Sequence, residues 1–326
     1  MLMAQPLLSA IKTHVPTTHI SVLAPQWVAP VLGYMSEVDA IIPTQFSHGA
    51  WQGWQRLKLA RTLRGQFDAC YVLPNSWKSA VLPWLAKIPR RLGYLGEMRY
   101  GLLTHYLANP DKKRRPPMVS HYAALTQLSE TWDSTQKISL TDPKLTISQE
   151  EMAQVTQHFQ IDTQQPLLVF CPGAEFGPAK RWPTQHFSQL AQLLMAEFAH
   201  LQIIALGSKK DKVIAENIAL PVRNLCGETS LAQAIALIAH ANAVVCNDSG
   251  LMHIAAALGR PQVAIFGSSD PRHTPPRSSK AVPIWLQLAC SPCYARNCPL
   301  GHLRCLHDVT PTQILPIVCT MLPSHS

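Results

Sequence analysis

Charge is scarce in this chain, and acidic charge is scarcest. Only 14% of the 326 residues are Asp, Glu, Lys or Arg, while 47% are hydrophobic. That balance excludes a disordered polyelectrolyte and implies a globular protein. No uncharged apolar run is long enough to cross a bilayer. The start, MLMAQPLLSAIKTH, has neither the basic n-region nor the small-residue cleavage site of a secretory signal. The expected location is therefore cytoplasmic, and Ala4, Leu7, Leu8 and Ile11 fit one face of a helix instead. No Asp-x-Asp pair occurs, so no divalent metal or other cofactor is required. Helix-turn-helix, zinc-finger and RNA-recognition signatures are absent, and nucleic acid is not an expected partner. Repeats and low-complexity tracts are absent too.

The hydrophobic pattern alternates between two periods. In the first half, HISVLAP (19–25), VDAIIP (38–43), DACYVLP (68–74) and RRLGYLG (90–96) read as buried strands, with helices at 54–63 and 76–86. The second half repeats the scheme with strands LLVFCPG, LQIIALGS, NAVVCND and QVAIFGS and helices at 187–198, 231–241 and 251–258. The length suits two domains, and the alternation predicts an α/β chain with two parallel, doubly wound sheets. The predicted division is 1–150, 151–309 and a last helix, 310–326, packing back toward the first domain. Ser148 and Glu151 form a capping box at the junction.

Two segments of the second half carry chemistry. CPGAEFGPAKRWP (171–183) and CNDSGLMHIAAALGRP (246–261) each place Gly and polar residues between a β-branched run and a helix. Free N–H groups and the helix dipole make such a turn an anion site. Gly173 suits the tight turn, and Lys180 reads either as a surface lysine or as a diphosphate contact. Asp248 and Ser249 read as helix caps or as sugar and phosphate ligands. His253 is a core histidine or a phosphate contact; spacing does not separate the two. Asp211, after the strand at 201–206, stands where a ribose partner stands in nucleotide folds.

The basic excess is local. Residues 51–120 hold 13 Lys/Arg and 3 Asp/Glu. This is either a solvated basic face or a surface for an anionic partner. Of nine cysteines, Cys290, Cys293, Cys298 and Cys305 fall within sixteen positions. Four-thiolate zinc is one reading, but the spacing is not that of two C-x2-C knuckles, and structural thiols are expected.

GAEFGPAKRWP and NDSGLMHIAAALGRP, with LPNSWKSA (73–80) and GEMRYGLL (96–103), resemble the lipopolysaccharide heptosyltransferases of glycosyltransferase family 9 over nearly the whole chain. The first-half segments point to members that add the second inner-core heptose. The resemblance implies a GT-B fold, two Rossmann-like domains facing each other across a cleft. It implies inverting, metal-independent transfer from ADP-L-glycero-D-manno-heptose to the first heptose of heptosyl-Kdo2-lipid A. Lys180 and Asp248 would be catalytic. Gly173, Glu175, Phe176, Asp211, Thr229, Ser249, Gly250 and His253 would bind the donor. Asn75, Ser76, Lys78, Arg99, Arg61 and Arg64 would meet the anionic Kdo and lipid A groups, with peripheral contact at the cytoplasmic face of the inner membrane. The family opens with a strand and a loop ending in Gly-Asp, whose Asp is the expected base. Met1–Gln5 matches the residues just after that loop. The expectation is therefore either a start upstream or a chain that binds donor and transfers poorly. The competing readings are a donor- or glycolipid-binding protein and a GT-B-type nucleotide-sugar epimerase.

Overall fold

In a computed structural model, the described residues are 1–46, 51–111, 116–129, 140–219 and 221–323. They form two compact units. The first comprises Met1, Met3–Gly33 and Glu37–Thr141; the second comprises Leu2, Tyr34–Ser36 and Asp142–Ser326.

The first unit contains helix α1 (Gln5–His14), strand β1 (Ser21–Pro25), helix α2 (Ala29–Leu32) and strand β2 (Ala40–Thr44). Helix α3 (Gly53–Leu63), β3 (Ala69–Val72), α4 (Trp77–Leu85), β4 (Arg90–Leu95), β5 (His105–Ala108) and α5 (Met118–Ala123) follow. Its strands are parallel and lie in two ladders, β1-β2 and β3-β4-β5. Along β3 the pleat alternates. Cys70 joins the Ala60, Leu63, Leu82 and Ile88 cluster beneath α3 and α4, while Tyr71 joins Leu7, Tyr94 and Leu125 on the α1 side. Strand β5 escapes the sequence reading because it is four residues long and ends just before Asn109-Pro110.

The second unit contains α6 (Gln149–His158), β6 (Leu167–Cys171), α7 (Thr184–Glu197), β7 (Gln202–Ala205), α8 (Lys212–Glu216) and β8 (Arg223–Asn224). It continues with α9 (Leu231–His240), β9 (Ala243–Asn247), α10 (Gly250–Ala257), β10 (Gln262–Ile265), β11 (Ala281–Ile284), α11 (Arg304–His307) and α12 (Pro311–Cys319). The Ser148 side chain caps α6 by accepting the Glu151 N–H at 3.1 Å. Six parallel strands run in the order β11-β10-β9-β6-β7-β8. Strands β6, β9 and β10 are buried at every position, as a sheet covered on both faces requires. Strand β11 contains Pro283, which an edge strand tolerates because a nitrogen without a hydrogen costs no ladder bond where it faces outward; that proline hid it in the sequence.

Helix α12 joins the second unit's own core, where Ile314, Val318 and Leu322 cluster with Leu190 and Leu194 of α7. The two apolar stripes match, and Trp182 reinforces the seam by donating its indole N–H to the Val309 carbonyl at 2.8 Å. Phe187 lies between Trp182 and Phe170, with ring centroids 4.9 and 5.1 Å away. Phe187→Ala is expected to cost about 3–5 kcal/mol and to raise amide exchange in β6 and α7 first. Unchanged exchange there would refute this packing role.

Candidate functional site

In the second unit, strand order reverses direction between β6 and β9, and parallel strands bring their carboxyl ends together. The crevice at such a point is where open α/β sheets bind ligands. Strand β6 delivers Pro172 and Gly173 there, and β9 ends in Asn247 followed by Asp248. Asn247 is fully buried. It accepts the Trp182 N–H at 2.9 Å and donates to the Pro172 carbonyl at 2.7 Å. The strand end is thereby stitched to both ends of the loop that bears Lys180.

Asp248 is 6% exposed. Its Oδ2 accepts from Lys180 Nζ and from Ser269 Oγ, each at 2.5 Å. A buried carboxylate is tolerable only when paired and hydrogen-bonded in this way. Ser269 lies in the segment after β10, where the Ser268 N–H also bonds the Ala179 carbonyl at 3.1 Å. The segments after β6, β9 and β10 therefore converge on Lys180.

Because Asp248 faces Lys180, it does not cap α10. The N-cap residue is Ser249, and its side chain makes no capping bond. The first-turn N–H groups are left without a side-chain cap at the positive end of the helix dipole, beside a cation. A side chain added at Gly250 would meet nothing within 4 Å, so there is open space at the helix start. His253 lies one turn in. Its Nδ1 is buried without a hydrogen-bond partner. Burial lowers its pKa to about 4, opposed by the Asp248 charge and reinforced by Lys180. The imidazole is therefore neutral at pH 7.

The other donor-side candidates surround this node. A Cβ on Gly173 would come within 2.3–2.5 Å of the Asp211 carboxyl group, so only glycine admits that approach. Asp211 is 9% exposed, and its Oδ2 accepts from the Ser208 N–H at 2.8 Å and Oγ at 2.7 Å. Glu175 is exposed and paired with Lys210 at 2.7 Å. The Phe176 ring lies 5.2 Å from the Lys180 ammonium and 5.5 Å from the Arg296 guanidinium. Thr229 precedes the Ser230 cap of α9, at the carboxyl side of β8.

Four contributors escaped the sequence reading: Asn247, Ser269, Arg181 and Arg296. Asn247 sits directly before the motif aspartate and looked like part of the strand. Ser269 and Arg296 reach the site only through tertiary contacts. Gly177, at φ +148°, lets the Arg296 carbonyl approach, and that carbonyl accepts the Ala179 N–H at 3.1 Å. Arg181 donates to the Ala174 carbonyl at 3.1 Å and ties the loop across itself. The cysteine-rich segment thus braces the Lys180 loop. Among the described residues no three His, Cys, Asp or Glu side chains are grouped to hold a metal, and all nine cysteines are free thiols.

The first-unit candidates gather before α4 and on α3. Asn75 is exposed and bonds Asn109 at 3.3 Å; Ser76 precedes α4, its hydroxyl 2.7 Å from that of Ser79. Lys78 is half-buried, whereas Arg61 and Arg64 are exposed. Arg99 is not on the surface at all. It is fully buried and donates to the Pro74 carbonyl at 2.6 Å, to the Ser76 carbonyl at 3.3 Å and to the Tyr94 carbonyl. It holds the 74–76 loop from behind. Lys112, Lys113, Arg114 and Arg115 lie outside the described residues.

Residues 56–304 match glycosyltransferase family 9 (heptosyltransferase). The chain is 42% identical to lipopolysaccharide heptosyltransferase 2 of Escherichia coli, covering 97% of this chain and 93% of that protein. It is also 42% identical to lipooligosaccharide heptosyltransferase 2 of Haemophilus influenzae, covering 88% and 85%. The solved structure of the E. coli ADP-heptose LPS heptosyltransferase II superposes with a TM-score of 0.84 at 40% identity, over 98% of this chain and 94% of that one.

Two outcomes test the geometry. Ser269→Ala removes one donor from a buried carboxylate and should cost about 1–3 kcal/mol in urea unfolding; no loss would show that Ser269 does not support Asp248. For His253, the unfolded chain takes up a proton near 6.5 and the folded chain not until about 4. Stability from this group is complete above pH 6.5 and falls as pH drops toward 4. His253→Gln should flatten that acid limb, and an unaltered limb would exclude a buried neutral histidine.

Proposed function

The chain belongs to glycosyltransferase family 9, the heptosyltransferases, and from that membership we infer its reaction and a role for each group. It transfers a heptosyl unit from ADP-heptose to the lipopolysaccharide inner core. Near-full-length likeness to transferases favours this over a bare binding protein or an epimerase. In the finer reading the donor is ADP-L-glycero-D-manno-heptose and the acceptor is the first heptose of heptosyl-Kdo2-lipid A. Transfer inverts the anomeric centre and needs no metal.

One observation carries the donor assignment: the uncapped start of α10 beside Lys180, itself held by Asp248. As the bond from the anomeric carbon to the diphosphate lengthens, the sugar gains oxocarbenium character and the departing ADP gains negative charge. Lys180 and the N–H groups of Ser249, Gly250 and the turn beyond them meet that charge. Asp248 fixes Lys180 and reaches a heptose hydroxyl. Its carboxylate is bound by Lys180 and Ser269 and therefore acts as an electrostatic support rather than as a free base. Neutral His253 adds a polar contact without a second positive charge. Asp211, against Gly173 at the end of the β7 segment, holds the ribose. Glu175 and Phe176 border the phosphates, and Thr229 borders the adenine.

The acceptor is anionic, and Asn75, Ser76, Lys78, Arg61 and Arg64 are the first-unit groups that meet its Kdo carboxylates and lipid A phosphates. Arg99 positions Asn75 by donating to its side-chain Oδ1 at 3.5 Å and Ser76 by donating to its carbonyl at 3.3 Å. A lipid-anchored acceptor brings the protein to the cytoplasmic face of the inner membrane as a peripheral protein. None of its described helices is long and apolar enough to cross a membrane.

Incubating the chain with ADP-heptose and heptosyl-Kdo2-lipid A should release ADP and add one heptose to the acceptor, unaffected by EDTA. ADP release without acceptor, or no release with it, would refute the transfer reading. Lys180→Ala should lower kcat by about 10²–10³-fold, the effect of losing one charge-stabilising group, with a smaller change in donor KM.

A further inference from the structure

Large apolar side chains at a water-exposed surface are informative when they cluster and share a face with one sign of charge. Helices α3 and α4 pack side by side through Ala60, Leu63, Leu82 and Ala86. On α3 the outward stripe is Trp54, Lys58 and Arg61, at the i, i+4, i+7 spacing, with Trp54 72% exposed. On α4, Trp77 and Trp84, seven residues apart, are 40% and 48% exposed.

These rings are exposed but not loose. Trp51 stacks on Trp77 with centroids 4.8 Å apart, bridging the two helix starts. Buried Arg56 donates to the Trp51 carbonyl at 2.8 Å and to the Lys78 carbonyl at 3.2 Å. Glu97 accepts the Trp77 N–H at 3.0 Å and brings the next loop alongside, where Met98 is 85% exposed. That acidic side chain is therefore bonded to backbone. Elsewhere in 51–120 only Asp68 and Asp111 oppose the 13 basic residues.

Indole rings with lysine and arginine are the composition of segments that lie in the bilayer interface, where rings sit at headgroup level and cations meet anionic lipid. We propose that the outward face of α3 and α4 docks on an anionic phospholipid surface, with Trp54, Trp77 and Trp84 in the headgroup layer. This rests on the reading that the acceptor is a membrane glycolipid. It adds that the protein holds the bilayer itself, independently of the acceptor.

The test is co-sedimentation with acceptor-free vesicles of phosphatidylcholine alone or mixed with phosphatidylglycerol. The wild-type chain should bind only the acidic vesicles, and less at high salt. Trp54→Ala/Trp84→Ala should weaken binding on the order of tenfold, and Lys58→Gln about fivefold. The double tryptophan variant should transfer heptose to a deacylated, water-soluble acceptor as the wild type does. Wild-type protein that ignores acidic vesicles, or a double variant that binds them normally, overturns the proposal. A self-association lost in the double variant also overturns it and assigns the face to a second copy. Absence of transfer to any acceptor would refute the proposed function while leaving the vesicle result to judge this surface on its own.

Discussion

A carboxylate taken out of water must be paired, and much of the second unit's site follows from how Asp248 is paired. It lies at the end of β9, a strand buried at all five positions, where an unpartnered charge would be intolerable. Lys180 supplies the opposite charge and Ser269 a hydroxyl, on segments that follow two other strands. The pairing also turns the carboxylate away from α10, which leaves the helix start open to an anion. A single burial constraint thus fixes the cation and frees the N–H groups beside it.

Close backbone approach is the second constraint. Gly173 admits the Asp211 carboxylate and Gly177 admits the Arg296 carbonyl, each at distances that a Cβ would forbid. The chain around Arg296 is further tied down where the Ser291 hydroxyl meets the Gly267 carbonyl at 2.7 Å and the Tyr294 N–H meets the Ser268 carbonyl at 2.7 Å. The cysteine-rich segment therefore packs behind the Lys180 loop. Its thiols are unevenly exposed, with Cys305 buried and Cys293 at the surface, as befits a brace with one side in water.

The two units use charge in opposite ways. In the second, the central carboxylates Asp248 and Asp211 are buried and hydrogen-bonded, and Asp248 is paired with Lys180. In the first, most described basic side chains reach solvent, and two, Arg56 and Arg99, are buried. Arg99 is sequestered to bind three carbonyls, because a planar fork of five donors can satisfy a loop that lacks a regular ladder.

Much of this protein was legible in the sequence. Long β-branched runs marked β6, β7, β9 and β10, and the residues after them marked Lys180, Asp248 and Asp211. Those signals are local, since a buried strand needs a continuous apolar run and a turn needs Gly or a cap residue. Short edge strands such as β5, β8 and β11 were not legible, because they bury too little to impose a pattern. The packing of α12 was not legible either, since its apolar stripe names no partner. The sequence by itself determined the two α/β halves and the motif residues at the strand ends of the second unit. Only the tertiary structure decided that Asn247, Ser269 and Arg296 serve that site and that Arg99 lies inside, because those roles depend on contacts between residues distant in the chain, which no local pattern encodes.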